Sequence, residues 1–328
     1  MCILVGRVDS LKPHRYSPIT DSYYDVSAQY PFGVDINEEI LMRRLSIVLL
    51  AACFLCTTAA AQELTGTLKR IADSGEFRIG FVPDAPPLSF IDQQGKPAGY
   101  TIALCGTVAK AVKKATGLEE MKVSYVPLVL PEDRLSAVEN GSVDIECGAS
   151  TVTLSRRERV DFSLMTFITG GAVLSLKKSP IPSINDLEKK TIAVIEGTTT
   201  HATLRDFSEV NELGFTLRII DSHAKGMELL NAGKVDGYAT DRAMIIGQVM
   251  QSADAASYTI SSSVFSFEPH ALMLKRGDTD FRLVVDRALA SLYRNARIRR
   301  IYHDWIGRYG EPMSPIVEAV YEFQAVGE

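Results

Sequence analysis

The chain has 328 residues, of which 46% are hydrophobic and 23% are charged, and this balance indicates a globular protein of about two domains. The formal net charge of −5 argues against nucleic acid as a partner, because the sequence also contains no basic run interleaved with aromatic residues. No metal-ligand set, phosphate-binding loop or dinucleotide fingerprint occurs in it, so we predict neither a metal site nor a cofactor.

The front of the chain differs in composition from the rest. Residues 1–41 have no sustained hydrophobic period, and we expect them to be a non-native extension, with translation starting at Met42. Residues 42–61 combine a basic start, a short apolar run and a small-residue exit, which is the pattern of a secretory signal peptide cleaved after Ala61. The apolar run is shorter than the roughly 20 residues that span a bilayer. Lipoprotein processing at Cys53 is the alternative.

Export would also decide the state of the cysteines. Cys2, Cys53 and Cys56 lie in or before the leader, which leaves Cys105 and Cys147 in the mature chain. Two cysteines in an oxidising compartment suggest one disulfide. Two buried free thiols remain the alternative, because sequence spacing does not show that the pair is close.

The mature chain begins with alternating strand and helix patterns. The apolar periods predict, in chain order, a strand at 77–82, a helix at 100–115, a strand at 121–126, a short helix at 133–138 and a strand at 143–146. After a proline break, they predict strands at 191–195, 215–220 and 235–238, helices at 224–231 and 242–250, an extended segment at 264–275, and helices at 281–293 and 297–305. This alternation is typical of an α/β fold with parallel βαβ units.

Two strand ends carry small and hydroxyl residues before a helix, at 143–160 and at 191–207. In the first, Ser155 and Glu158 have the spacing of a capping box, which predicts a helix start with Arg156 in its first turn. A guanidinium there can bind both oxygens of a carboxylate. Ligands of open α/β sheets lie at the carboxyl ends of strands, so two such ends facing each other would form a cleft. A solvated charged turn is the alternative.

Four segments, in this order, carry a family resemblance: GYTIALCGTVAKAV, AVENGSVDIECGASTVTLSRRERVDFS, IAVIEGTTT and LLNAGKVDGYATDRAMI. Together they resemble the bacterial periplasmic amino-acid-binding proteins of ABC importers, the family 3 solute-binding proteins, from Glu76 to Arg308. The wording DIECGASTVT and the position of His223 upstream of Asp241 are most similar to the glutamate/aspartate-binding subgroup.

The resemblance implies a two-lobed α/β fold, the type II periplasmic binding protein fold, with a ligand cleft between lobes joined by two crossover strands. Lobe 1 would comprise residues 63–170 plus 271–328, and lobe 2 residues 171–270. It further implies a monomeric periplasmic protein without enzymatic activity. Such a protein captures a polar or acidic amino acid by lobe closure and delivers it to the membrane permease of an ABC importer.

The resemblance also implies roles for single residues. Arg156 would pair with the ligand α-carboxylate, helped by Thr151 and by backbone groups near Ala149. Asp241 would bind the α-ammonium group, and Thr198 would add hydrogen bonds on closure. For both Asp241 and Thr198, a plain helix N-cap is the alternative.

The ligand side chain would be bound at the same cleft. Arg134 would receive an acidic side chain of the ligand, with a solvent-facing arginine as the alternative, and His223 would lie nearby. The subgroup has a further arginine where Val82 stands, and a hydroxyl where Ala149 stands. With fewer polar groups, aspartate, glutamine, asparagine or a related dicarboxylate stay open as ligands beside glutamate.

An enzyme on the same scaffold is the rival interpretation. The periplasmic cyclohexadienyl (arogenate/prephenate) dehydratases resemble this chain and act on carboxylated rings. No nucleophile–base pair stands out in the sequence, and no role is predicted for the other three histidines of the mature chain: His201, His270 and His303.

Overall fold

The structure, a computed structural model, describes residues 63–212 and 214–327. The predicted extension at 1–41, the signal peptide at 42–61 and the alternative lipid site at Cys53 lie outside the described residues. In the described part, no helix is long and apolar enough to cross a membrane. The same residues contain no group of three or more side chains that could hold a metal ion.

Strands and helices alternate through most of the described chain. The strands are β1 (Glu76–Phe81), β2 (Asp84–Ala85), β3 (Ser89–Ile91), β4 (Pro97–Ala98), β5 (Lys122–Pro127), β6 (Ile145–Glu146), β7 (Val160–Thr169), β8 (Gly171–Leu176), β9 (Thr191–Ile195), β10 (Thr216–Ile220), β11 (Gly237–Asp241), β12 (Tyr258–Ile260) and β13 (Glu268–Lys275). The helices are α1 (Gly66–Ser74), α2 (Tyr100–Thr116), α3 (Pro131–Glu139), α4 (Leu154–Arg157), α5 (Thr199–Asn211), α6 (His223–Asn231), α7 (Arg242–Gln251), α8 (Thr279–Arg294), α9 (Arg297–Trp305) and α10 (Pro315–Phe323).

The longer strands form two five-stranded sheets that share one plan. The first sheet has the order β5-β1-β6-β13-β7, and β1 runs parallel to β5 and β6 while β13 runs antiparallel to β6 and β7. The second has the order β10-β9-β11-β8-β12, with β9 parallel to β10 and β11 and with β8 antiparallel to β11 and β12. The predicted α/β class is confirmed, and each sheet forms the centre of one lobe.

Two connections join the sheets. The first is Gly170, between the end of β7 and the start of β8, and the second is the segment 261–267 between β12 and β13. A Cβ atom on Gly170 would lie 2.4 Å from the carbonyl oxygen of Ser266, so only glycine fits where the two connections pass each other. Following sheet membership, we define lobe 1 as residues 63–170 with 268–327 and lobe 2 as residues 171–267. The expected boundary at residue 271 lies inside β13.

Each lobe has its own apolar core. In lobe 1, Phe77 and Ile79 of β1 pack with Val108 of α2 and Leu289 of α8, and all four are fully buried. In lobe 2, fully buried side chains of β8, β9, β11 and α7 form the core: Leu174, Ala193, Tyr238 and Ile245. The sheets are therefore held rigidly within each lobe, while few residues connect the lobes.

The predicted helix start at Ser155 is wrong. Helix α4 begins at Leu154, and its N-cap is Thr153, whose Oγ1 accepts the backbone N–H of Arg156 at 3.1 Å. Thr153 satisfies this free N–H first, and the helix ends at Arg157, so Glu158 lies at its C-terminal end rather than in its first turn.

The predicted disulfide is present. Cys105 on α2 is bonded to Cys147, with a Cα–Cα distance of 6.4 Å. Cys147 directly follows β6, so the bond anchors the start of the loop that contains Ala149 and Thr151 to the buried face of α2.

Candidate functional site

One small cavity lies between the lobes, and its lining includes all seven residues that the sequence predicts for the site. Lobe 1 contributes Val82, Ala85, Val129, Arg134, Ala149, Thr151 and Arg156. Lobe 2 contributes Ile195, Thr198, Thr199, Thr200, His223, Thr240, Asp241 and Met244. Its volume of about 30 Å³ has room for about two water molecules, so an amino acid can enter only when the lobes separate.

Arg156 spans the two lobes. Its Nη1 donates to the carbonyl oxygen of Thr151 at 2.8 Å in lobe 1, and its Nη2 donates to the carbonyl oxygen of Gly197 at 3.3 Å in lobe 2. Burial, and next the nearby charge of Arg134, lowers the pKa of Arg156 to about 10. The side chain therefore stays cationic at neutral pH, and both of its present partners are neutral carbonyl groups that an anion can replace.

Arg134 is buried rather than solvent-facing, with 8% of its surface exposed. Its Nη1 donates to Ser150 Oγ at 3.4 Å and lies 3.9 Å from Glu146 Oε1. Ser150 in turn donates to Glu146 Oε2 at 2.9 Å. Glu146 is fully buried, and this burial raises the pKa of its carboxyl. Arg134 thus enters the cavity with an acidic neighbour beneath it.

The loop above Glu146 depends on Gly148. A Cβ atom there would lie 2.0 Å from Glu146 Oε1 and 2.8 Å from a methyl group of Val82. Val82 is itself held in place, because its backbone N–H donates to Ser89 Oγ at 3.0 Å. Val82 and Ala149 therefore form a close-packed apolar part of the wall, where no polar side chain is available to a ligand.

Asp241 pairs with a histidine from the other lobe. It stands at the N-cap position of α7, but its side chain makes no capping hydrogen bond. Instead its Oδ2 lies 2.8 Å from His270 Nε2, and the two residues are 4% and 2% exposed. Asp241 ends β11 in lobe 2 and His270 lies on β13 in lobe 1, so this contact joins the two lobes.

Thr198 and Thr199, which follow strand β9, make different contacts. Thr198 is the N-cap of α5, where its Oγ1 accepts the backbone N–H of His201 at 3.1 Å and donates to the carbonyl oxygen of Ile195 at 2.7 Å. Its neighbour Thr199 makes the contacts between lobes. Thr199 Oγ1 donates to Glu268 Oε2 at 2.6 Å and lies 3.4 Å from Thr151 Oγ1.

His223 begins α6 and is buried in the wall of the cavity. Its Nδ1 is hydrogen-bonded to the hydroxyl of Tyr238, and its backbone N–H donates to Asp84 Oδ2 at 2.8 Å. Burial is the first cause that lowers the pKa of His223, so its ring is neutral at pH 7. It gives the cavity a neutral hydrogen-bonding wall rather than a third positive charge.

Comparison with known proteins decides the family. The family model "Bacterial extracellular solute-binding proteins, family 3" matches residues 77–308. This chain belongs to that family. In this solute-binding protein, the matched range contains every lining residue of the cavity between lobes and both sheets except Glu76, the first residue of β1.

The relatives of this solute-binding protein include amino-acid-binding proteins. It is 33% identical over 267 residues to the L-glutamate/L-aspartate-binding protein of Pseudomonas aeruginosa, covering 81% of this chain and 87% of the relative. Its fold matches an ancestral arginine-binding protein bound to glutamine, with a TM-score of 0.64, 27% identity, and coverage of 71% and 98%. It also matches an ancestral amino acid-binding protein described as a precursor of cyclohexadienyl dehydratase, with a TM-score of 0.64, 25% identity, and coverage of 74% and 100%.

Sequence patterns miss four polar residues close to the cavity of this solute-binding protein: Glu146, Ser150, Glu268 and His270. In the sequence, Glu146 is one of the acidic residues in a strand that alternates apolar and acidic positions. Glu268 and His270 lie in an extended segment without a motif. Ser150 and Glu146 are only four positions apart, but Glu268 and His270 have partners in distant parts of the chain: Thr199 is 69 positions from Glu268, and Asp241 is 29 positions from His270. No local spacing could have indicated these two distant pairs.

Proposed function

We propose that this solute-binding protein captures an acidic amino acid, L-glutamate or L-aspartate, and delivers it to the membrane permease of an ABC importer. The observation that carries the proposal is that Arg156 of lobe 1 and Asp241 of lobe 2 line one cavity between the lobes. A cation and an anion on opposite walls match the carboxylate and ammonium groups of an amino acid. The similarity to a protein named for L-glutamate and L-aspartate supports the ligand class.

The α-groups of the ligand would replace contacts that the closed protein makes with itself. The α-carboxylate takes the place of the carbonyl oxygens at Thr151 and Gly197 as the partner of Arg156, with Thr151 and the backbone near Ala149 as further donors. The α-ammonium group binds Asp241. Each charge must find a partner because an unpaired charge inside a closed cleft costs several kcal/mol.

The side chain of the ligand would point to Arg134, with His223 and Thr198 on the facing wall. Arg134 is the second cation that lines the cavity, and it already has Glu146 at 3.9 Å. Because Val82 and Ala149 bring no polar side chain to this end, the selectivity for an acid over glutamine or asparagine depends on Arg134 alone. We therefore expect glutamate and aspartate to bind more tightly than their amides, by a modest factor.

Capture would work by closure of the lobes. The connections at Gly170 and 261–267 are short, and contacts such as that of Thr199 with Glu268 form only when the lobes meet. A ligand that contacts both lobes shifts the population toward the closed form in proportion to its differential affinity. The closed form then docks on the permease. We place the protein in the periplasm, as a monomer.

A thermal-shift screen of the purified protein against the standard amino acids and C4/C5 dicarboxylates tests the ligand class. We expect L-glutamate and L-aspartate to raise the Tm, increasingly with concentration, because a ligand of the native state stabilises by mass action. Stabilisation by basic or apolar amino acids only, with none by glutamate or aspartate, would contradict the proposal. Incubation with prephenate or arogenate tests the dehydratase alternative, since aromatic product would reveal an enzyme.

A further inference from the structure

His270 is held in place by several contacts within lobe 1. Its ring lies 6.2 Å from the ring of Phe167, its carbonyl oxygen accepts the Thr166 hydroxyl at 3.3 Å, and its backbone forms a β-bridge with Thr151. Lobe 1 therefore fixes both the backbone and the ring. Only Nε2 reaches the other lobe, where it meets Asp241 Oδ2.

The hydrogen-bond inventory of this pair is asymmetric. His270 Nδ1 is buried and makes no hydrogen bond within the described part of the chain. A proton on Nε2 satisfies the contact, because Nε2–H then donates to the carboxylate. Asp241 uses Oδ2 in this bond, and its Oδ1 has no protein hydrogen-bond partner among the described residues, so Oδ1 is available to a further donor.

We infer that His270 is a positioning residue for the ammonium group of the ligand: it holds Asp241 from across the cleft so that Oδ1 faces the bound amino acid. The inference rests on the proposed function, to which it adds a residue of lobe 1 that takes part in ammonium recognition. Because the donor and the acceptor belong to different lobes, the ammonium subsite is complete only after closure. Recognition of the ammonium group and closure of the cleft are thereby coupled through one hydrogen bond.

A buried histidine that serves only the core would act differently from a positioning residue. Its loss would weaken every ligand alike, through a less stable closed form. Loss of a residue that orients Asp241 weakens ligands that have an ammonium group far more than ligands that lack one. The matched ligand pair is therefore L-glutamate and glutarate, which carries the same two carboxylates without the amine.

The experiment measures the affinity for both ligands by calorimetry in His270→Phe, His270→Gln and the unmodified protein. Phenylalanine keeps the ring and removes the donor, and we expect it to weaken glutamate binding about tenfold or more while glutarate changes less than about threefold. Glutamine keeps a donor at the end of its side chain, and we expect it to restore glutamate binding to within about fivefold of the unmodified protein. The control is His303→Gln, at an exposed side chain, with no effect on either ligand.

An equal loss of glutamate and glutarate in His270→Phe would overturn the inference, and so would unchanged binding of glutamate. If that variant does not fold, nitrogen NMR of the histidine rings in the unmodified protein decides instead. We expect the proton of His270 on Nε2, slow exchange of that proton, and an unprotonated Nδ1; a ring protonated on Nδ1 alone would refute the role. Failure of the unmodified protein to bind glutamate or aspartate would refute the proposed ligand class. The NMR measurement of the His270 ring needs no ligand and would still test the role of His270.

Discussion

Asp84 of lobe 1 caps the first turn of a helix that belongs to lobe 2. Its Oδ2 accepts the backbone N–H of His223 at 2.8 Å, and its carbonyl oxygen accepts Gln248 Nε2 at 2.6 Å. A carboxylate at a helix N-terminus is favoured both by the free N–H groups and by the helix dipole. Because Asp84 and His223 belong to different lobes, this contact stabilises the closed arrangement without any ligand.

Asp84→Ala should shift the ligand-free protein toward the open form. Loss of the cap weakens closure by about 1 kcal/mol, and we expect glutamate affinity to fall about fivefold as a result. Small-angle scattering should show a larger radius of gyration before ligand is added and the usual radius at saturation. The control is Asp92→Ala, because Asp92 accepts the backbone N–H groups of Gln94 and Lys96 within one lobe. Identical scattering and affinity in the two variants would contradict this role.

Arg156→Ala should abolish binding of glutamate in calorimetry, since the α-carboxylate would be left in the cleft without its cation. The ligand-free Tm should change by less than about 3 °C, because among the described residues the guanidinium donates hydrogen bonds to two carbonyl oxygens, which water can reach on opening. Arg157→Ala, at the exposed neighbour, is the matched control and should bind normally. Binding retained within a few-fold in Arg156→Ala would show that the α-carboxylate lies elsewhere.

Glu146→Gln should make stability less sensitive to pH. Burial raises the pKa of Glu146 above its unfolded value, so the native state holds a proton more tightly than the unfolded state does. The stabilising contribution of Glu146 to the free energy of unfolding is fully present below about pH 4.5. It is lost as the pH rises through the raised pKa of the native state. The free energy of unfolding of the glutamine variant, relative to the unmodified protein, should therefore increase between pH 4 and pH 8 in urea titrations. A difference that stays constant over this range would show that Glu146 does not titrate on folding.

Removal of the disulfide should destabilise the protein and loosen the first site loop. The bond closes a loop with a sequence separation of 42, and its loss should cost about 2–4 kcal/mol of stability. Because Cys147 lies just before the cavity wall, Cys147→Ser with Cys105→Ser should also weaken glutamate binding. Denaturation curves in the presence and absence of reductant give the loss of stability. Calorimetry under the same conditions gives the loss of glutamate affinity. An unchanged midpoint on reduction of the unmodified protein would contradict the prediction.

Sequence alone was sufficient where the signal is local. The spacing of apolar residues predicts a helix at 100–115, and the structure has it at Tyr100–Thr116, because Gly117 ends it in a left-handed conformation. The family signature is not local, but its four ordered segments place Arg156, Thr151 and Asp241 in one expected site, and all three residues line the cavity between the lobes. Local error arises where two caps compete, as when Thr153 rather than Ser155 starts the helix before Arg156.

Tertiary structure decided which charges meet. Arg134 could face solvent or the interior by sequence pattern, and only the packing of α3 on the first sheet buries it beside Glu146. The partnership of Asp241 with His270 depends on β13 returning to lobe 1 after the second connection, and that of Asp84 with His223 joins residues 139 positions apart. Periodicity and capping act over a few residues, whereas these contacts depend on how two lobes close on each other, which no short stretch of sequence encodes.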